Sequence, residues 1–337
     1  MTMSSIPREG TGQLPNLDRR RFLGYAGLGA AITAAGGAAG WTTPASAAPT
    51  SGTPQWPGHK PGRIYLGASA AGDVSKTTRH TGALGLCRSY HGWKELDSER
   101  KQISADHAAH RLPWTSFSPP VKAGGIWKAV ASGRFDNDIK ARARFYASLD
   151  GPVVSTFNHE PQNDAFGSPA DFVAAWVRIH DVMDHETGLK NCAFAPIIGE
   201  WVFNPVNKRD DPQEFVVRSL LSRMAFLGVD LYQNQSAQGY DVRLGRVLDY
   251  LDRAGYPRMT IGLGETGCTD DYGSPTGAQW WNASWKWAAA HADRVAAIAY
   301  FNSQANNNSG NTWLLTESAS KLKAFRSSLA SPVSCTL

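Results

Sequence analysis

Eight short apolar runs alternate with stretches of helical periodicity along most of the chain, and that alternation limits the folds open to it. The runs are Ile64 to Gly67, Leu84 to Tyr90, Leu112 to Phe117, Val153 to Asn158, Cys192 to Ile198, Val229 to Tyr232, Met259 to Leu263 and Val295 to Phe301. They are continuous rather than alternating in polarity, which is the pattern of parallel strands covered on both faces. The clearest helix opens at Ser168-Pro169-Ala170-Asp171, a capping-box-like start with proline at the first helical position, and runs through Phe172, Trp176 and Ile179 toward Gly188. Further helices are expected over 94–107, 135–149, 212–224, 243–254, 277–291 and 316–329, with a weaker one over 74–84. Strand and helix repeated in this way predict an α/β fold, a single (β/α)8 TIM barrel over 62–337. An open doubly wound sheet is the competing arrangement, but no GxGxxG turn follows the first strand to support it.

Ahead of the barrel, Arg19-Arg20-Arg21-Phe22-Leu23 is followed by an Ala/Gly-rich apolar run to Gly40 and by Ala45-Ser46-Ala47. Charged, apolar and small-residue regions in that order predict a twin-arginine signal peptide over 1–47 and a mature protein that is secreted, extracellular or cell-wall associated. A membrane anchor is the alternative; the glycine content and the cleavage motif argue against it. Residues 48–61, rich in Pro, Thr, Ser and Gly toward their start, are expected to form a flexible linker. Loss of 1–47 removes four arginines and two acids and lowers the formal charge from +5 to +3. No Lys/Arg run remains to follow a phosphate backbone, so nucleic acid is not an expected partner. Cys87, Cys192, Cys268 and Cys335 are too widely spaced for a zinc ribbon; export would permit disulfides, in any of three pairings.

Reacting groups in such a barrel gather at the carboxyl ends of the strands. Those ends carry Arg88-Ser89-Tyr90-His91, Trp114, Asn158-His159-Glu160, Glu200-Trp201, Asp230-Leu231-Tyr232-Gln233-Asn234, Glu265, and Tyr300-Phe301-Asn302, with Trp313 in the loop after the last strand. Acids, amides and aromatic rings together suit a carbohydrate cleft, where rings stack on apolar sugar faces and the polar groups bond hydroxyls. Glycosidic cleavage needs one carboxylic acid to protonate the leaving oxygen and one carboxylate to attack or to activate water. Glu160, after the fourth strand, and Glu265, after the seventh, are the expected catalytic pair, because a closed barrel brings both to one mouth. The expected partner is a polysaccharide or oligosaccharide, with no cofactor, no metal, no membrane contact after signal cleavage, and a monomeric state.

Neighbouring motifs offer less. His159-Glu160 begins an HExxH pattern, but Asn163 stands where the second histidine belongs and Pro161 opposes a helix there. Glu200 is either a ligand contact or half of a rim ion pair, and Asp230 is expected to be hydrogen-bonded inside the mouth. Asp270-Asp271 suits a solvated turn better than a calcium site. Trp280, Trp281, Trp285 and Trp287 share one helical segment and are expected mainly to pack on the barrel.

A glutamate after strand four with another after strand seven resembles the clan A glycoside hydrolases. The His159-Glu160 pair resembles glycoside hydrolase family 26, best known for endo-β-1,4-mannanases. The resemblance spans Gly62 to Ala330, its specific part confined to the strand ends. It implies a retaining double displacement, with Glu160 as acid/base, Glu265 as nucleophile, Tyr232 hydrogen-bonded to the nucleophile and His159 as the histidine preceding the acid/base. Arg88 stands where clan members commonly hold an arginine near the nucleophile. One departure is clear: the last strand ends Tyr300-Phe301-Asn302-Ser303, without the tryptophan that commonly floors the central sugar subsite, and Trp313 is the candidate replacement. A β-glucan, a xylan or a cell-envelope glycan are the alternative substrates. A secreted barrel that binds polysaccharide without cutting it is the non-enzyme alternative, although such a barrel would be expected to have lost one of the two glutamates.

Overall fold

The apolar runs form strands, and every strand pair is parallel. In the computed structural model, which describes residues 55–69, 74–303 and 312–337, the principal strands are β1 (Ile64–Ser69), β2 (Leu86–His91), β3 (Leu112–Phe117), β4 (Val153–Phe157), β5 (Cys192–Phe194), β6 (Ile197–Gly199), β7 (Leu227–Tyr232), β8 (Ile261–Gly267) and β9 (Val295–Phe301). Their order in the sheet is β5-β4-β3-β2-β1-β9-β8-β7-β6. The two ends of that path, β5 and β6, are consecutive in sequence, separated only by Ala195-Pro196. Proline has no N–H to give to a ladder, so the expected fifth strand is broken into one piece that pairs with β4 and one that pairs with β7. Hydrogen bonds continue through the break: Ala195 N–H donates to the Ser155 carbonyl at 3.0 Å, and Gly228 N–H to the Pro196 carbonyl at 2.9 Å. The sheet is thereby a (β/α)8 barrel. The expected export signal, 1–47, and the start of the linker lie outside the described residues.

Helices α1 (Val74–Thr81), α2 (Leu96–Ala108), α3 (Ile126–Ala131), α4 (Asp136–Ala147), α5 (Pro169–Thr187), α6 (Pro212–Phe215), α7 (Arg218–Leu221), α8 (Tyr240–Arg253), α9 (Gly277–Ala290) and α10 (Ala319–Leu329) cover the strands. At the start of α5 the Ser168 hydroxyl accepts the Asp171 N–H at 3.1 Å while the Asp171 carboxylate accepts the Ser168 N–H at 3.0 Å, and Gly188, at φ 61°, ends the helix. The helix expected over 212–224 is instead two single turns, α6 and α7. They part at the β-branched pair Val216-Val217, and Val217 is extended. The short α3 was not foreseen; it starts at Gly125, at φ 80°.

One apolar layer fills the barrel, with Tyr65, Leu86, Trp114, Val154, Ile197, Phe226 and Ala297 among its members, and a larger one lies between strands and helices. Trp56 belongs to the inner layer: it is 5% exposed, stacks on His59 and packs against Phe226. The end of the expected flexible linker is therefore fixed to the barrel, because a tryptophan there has apolar surface to cover. A tenth strand, β10 (Ser334–Cys335), pairs with Ile64 and Tyr65 at the start of β1. Strands β1 and β2 approach so closely that a Cβ on Gly67 would lie 1.8 Å from the Leu86 carbonyl oxygen. All four cysteines are free thiols. Among the described residues no helix is long and apolar enough to cross a membrane.

Candidate active site

Glu265 sits within β8, directly across the ladder from Asp230 of β7. The register of β7 on β8 shifts at Val229/Asp230 and that of β8 on β9 shifts between Leu263 and Thr266, irregularities of the kind that re-aim a side chain at a barrel rim. The Glu265 carboxylate is 7% exposed and accepts two phenolic hydrogen bonds. Tyr90, at the end of β2, donates to Oε1 at 2.6 Å, and Tyr232, at the end of β7, donates to Oε2 at 2.5 Å. His159, just after β4, places Nε2 4.0 Å from Oε1. Three strand ends thus converge on a carboxylate carried by a fourth strand.

The segment after β4 is strained. Asn158 and Glu160 both adopt the left-handed region, at φ 45° and 51°, which non-glycine residues seldom occupy outside functional loops. The surroundings compensate: Asn158 N–H donates to the Phe117 carbonyl at 3.0 Å and Glu160 N–H to the Ile197 carbonyl at 2.9 Å. Asn163 donates from Nδ2 to Glu160 Oε2 at 3.0 Å. Asn158, expected to bind substrate, is 4% exposed and has its amide committed elsewhere. Its Oδ1 accepts from Trp127 Nε1 at 3.2 Å and its Nδ2 donates to Asp164 at 2.7 Å. It holds the loop that carries Glu160.

Tyr232 is held at both ends. Its ring lies 5.0 Å from that of Trp313 and 6.0 Å from that of Phe301, and its carbonyl accepts from Arg243. Arg243 in turn forms a buried ion pair with Glu200, so Glu200 braces the backbone of Tyr232 from inside the protein. Burial, then the negative charge of Glu265, push the Tyr232 phenol well above the ordinary tyrosine range, which keeps it a donor. Trp201 is half-buried and folds back on its own strand end, so close that a Cβ on Gly199 would lie 2.3 Å from its ring. Asn234 is exposed and accepts from Ser236 N–H and Oγ in a local turn. His91 is half-buried beside Ser89, and burial lowers its pKa.

Three expected rim residues are elsewhere. Arg88 forms no ion pair with Glu265 among the described residues; it is 1% exposed and donates to Ser116 Oγ at 2.7 Å and the Ser89 carbonyl at 2.9 Å. Side chains two apart on a strand share a face, so Tyr90 stands one layer nearer the mouth and reaches the carboxylate, while the guanidinium lies 4.6 Å under the Tyr90 ring. Trp114, third in β3, fills the barrel below the mouth at 0% exposure, bonded to Thr156 Oγ1 at 3.0 Å. Tyr300 faces the helix layer, donating to the Cys268 carbonyl at 3.2 Å beside Trp281 and Phe325; its neighbour Phe301 turns inward instead. Asp230 is buried, yet neither carboxyl oxygen has a well-formed hydrogen bond, contrary to expectation. Burial and the charges of Glu265 and Glu160 push its carboxyl well above the usual range, and Arg88 and the Glu265 backbone amide offset this only in part. Tyr90 stands at the strand end where the sequence places it, but its contact with Glu265 was not expected; its place on the same face as Arg88, one layer nearer the mouth, was the available signal.

Among the described residues no group of three or more His, Cys, Asp or Glu side chains could hold a metal ion. Asp271 accepts from Thr269 and from Thr312 N–H, and Asp270 from Gly277 N–H, as in an ordinary turn.

Several solved structures similar to this chain carry glycosidase names. GH26C from a Muricauda species superposes with a TM-score of 0.58 at 13% identity, over 81% of this chain and 87% of its own. The Bacillus subtilis mannanase BCman gives 0.55 at 14% identity, over 82% and 87%. A fungal β-1,4-galactanase gives 0.58 at 12% identity, over 77% and 93%. At these identities the likeness is one of fold alone. No protein-family model matches the chain, and curated protein sequences yield no relative.

Proposed function

We propose that this protein is a retaining β-glycosidase that cleaves a β-linked polysaccharide, an endo-β-1,4-mannanase of the family 26 kind, exported by the twin-arginine route. The observation that carries the reading is the capture of Glu265 by Tyr90 and Tyr232, with His159, the residue before Glu160, brought to the same carboxylate. The mannanase among the structures of similar fold adds support. In the proposed reaction Glu265 attacks the anomeric carbon as Glu160 protonates the departing glycosidic oxygen. Glu160 then takes a proton from water, whose oxygen displaces Glu265 and restores both carboxyl groups. Trp313, expected to floor the central sugar subsite, is 7% exposed and packs on Tyr232, so it braces that tyrosine instead.

The competing substrate is another β-glycan. It is favoured by the missing tryptophan at the end of β9 and by the galactanase among the similar structures. The deciving assay is reducing-sugar release by wild type, Glu160→Ala and Glu265→Ala on β-mannan, β-glucan, xylan and cell-wall glycan. Cleavage of β-mannan that both variants lose supports the reading, and cleavage of another glycan alone replaces the substrate. Binding without cleavage by wild type would leave a polysaccharide-binding barrel.

A further inference from the structure

The site contains more tyrosine than its expected chemistry requires. Both oxygens of Glu265 carry a phenolic donor, and the donor on Oε1 comes from β2, the strand from which a charged arginine contact was expected. Tyr90 has one hydroxyl proton, and it goes to Glu265. The 3.0 Å contact with Ser69 Oγ therefore has Ser69 as donor, at the end of β1 and fully buried. Beneath the ring lies the Arg88 guanidinium, 4.6 Å from its centroid, and beside it the His159 ring at 5.4 Å. A cation under the ring and a donor on the phenol oxygen both polarise the O–H toward the carboxylate.

We propose that Tyr90 is a second positioning residue for the nucleophile, transmitting the pull of Ser69 and Arg88 to Glu265 Oε1 in place of a direct arginine contact. This rests on the glycosidase reading above. Tyr232 is fixed by Arg243, Trp313 and Phe301, whereas Tyr90 is 37% exposed and open to the mouth. Oε1 is accordingly the oxygen whose donor can yield. During attack, a lone pair of Oε1 forms the bond to the anomeric carbon as the bond to the leaving oxygen breaks and that oxygen takes the Glu160 proton. Tyr90 keeps its own proton throughout: although the ring edge is open to the mouth, its hydroxyl is tucked between Ser69 and Glu265, and that desolvation together with the Glu265 charge holds the phenol well above the ordinary range.

The test uses the full-length chain, with Tyr90→Phe and Ser69→Ala compared against wild type on β-1,4-mannan, and [13Cζ]-tyrosine NMR titrations that need no substrate. Tyr90→Phe should lower kcat roughly 10- to 100-fold with KM changed less than about threefold, the loss of one hydrogen bond to a charged group. It should also move the acid limb of the kcat/KM profile to higher pH, because a donor to the ionised form has been removed. Ser69→Ala should shift both in the same direction by less. In Glu265→Gln the Tyr90 phenol should titrate at lower pH than in wild type. A Tyr90→Phe enzyme with wild-type kcat and acid limb would overturn the proposal, as would a Tyr90 titration indifferent to Glu265→Gln. Should wild type cut no β-glycan, the glycosidase reading fails and the tyrosine titration alone decides whether Tyr90 is coupled to Glu265.

Discussion

The carboxylate of Glu265 and the carboxyl of Asp230 face each other across one ladder, and burial treats them differently. Glu265 has two phenols to hold it, whereas Asp230 has no well-formed donor and its pKa is raised. A folded pKa above the unfolded value means that the native state holds a proton the unfolded chain has lost. The stability from that group is thus full below about pH 4 and drains away as pH rises toward the elevated value. Asp230→Asn should therefore raise Tm near pH 7 to 8 and converge on wild type toward pH 4, which thermal unfolding across that range would reveal. Tyr232→Phe should lower kcat roughly 10- to 100-fold while leaving the fold intact, read from steady-state kinetics beside circular dichroism. That Glu160 and Glu265 stand at strand ends could be read from apolar runs that stop in an acid. Which side chain of a neighbouring pair faces the mouth could not. The apolar run through Tyr300 and Phe301 has no polar alternation to set its parity, whereas Arg88 and Tyr90 share a face and the sequence left open only which layer of that face reaches the carboxylate.

Most strands and helices were legible, because continuous β-branched runs and a capping signal are local. The Ser168 to Asp171 box is an example, and its contribution can be measured. Ser168→Ala should cost about 1 kcal/mol in chemical denaturation. Asp171 has its carboxyl held below the usual range by the Ser168 backbone and hydroxyl. Its share of the cap is present above the unfolded value near 3.8 and lost as pH falls through the lower folded one, so the Ser168→Ala difference should shrink in acid. Gly67 makes a sharper case. Any side chain there meets the backbone of β2, so Gly67→Ala should leave little soluble protein, or lower Tm markedly if some folds. What sequence missed at this scale was α3, the split into α6 and α7 and the break in the fifth strand; Pro196 and Val216-Val217 were local signals for the last two, overridden by the apolar run and the helical period around them.

Across the whole molecule, stability and chemistry occupy opposite ends of the barrel. The N-terminal end is closed by Trp56 and by β10, with Lys60 Nζ donating to the Thr336 carbonyl at 2.6 Å and Leu337 N–H to the His110 carbonyl at 2.8 Å. Deleting Ser334 to Leu337 should lower Tm and leave kcat nearly unchanged, a division that melting curves and initial rates would expose together. Between strands and helices, Glu99 accepts from Thr115, Tyr146 and Arg142 and is fully buried. Its loss by Glu99→Ala should cost roughly 3 to 5 kcal/mol, because Arg142 would be left buried and unpaired. Neither closure nor network was visible in sequence, since each joins residues far apart along the chain. The break at Ala195-Pro196 has one more consequence. The Glu160 amide is tied to Ile197, just beyond that break, so the seam of the barrel and the proposed acid share a hinge. Wherever the barrel wall breathes at that seam, the Glu160 amide should lose its protection from deuterium in the same event, and the clock of that exchange would time how often the acid leaves its post.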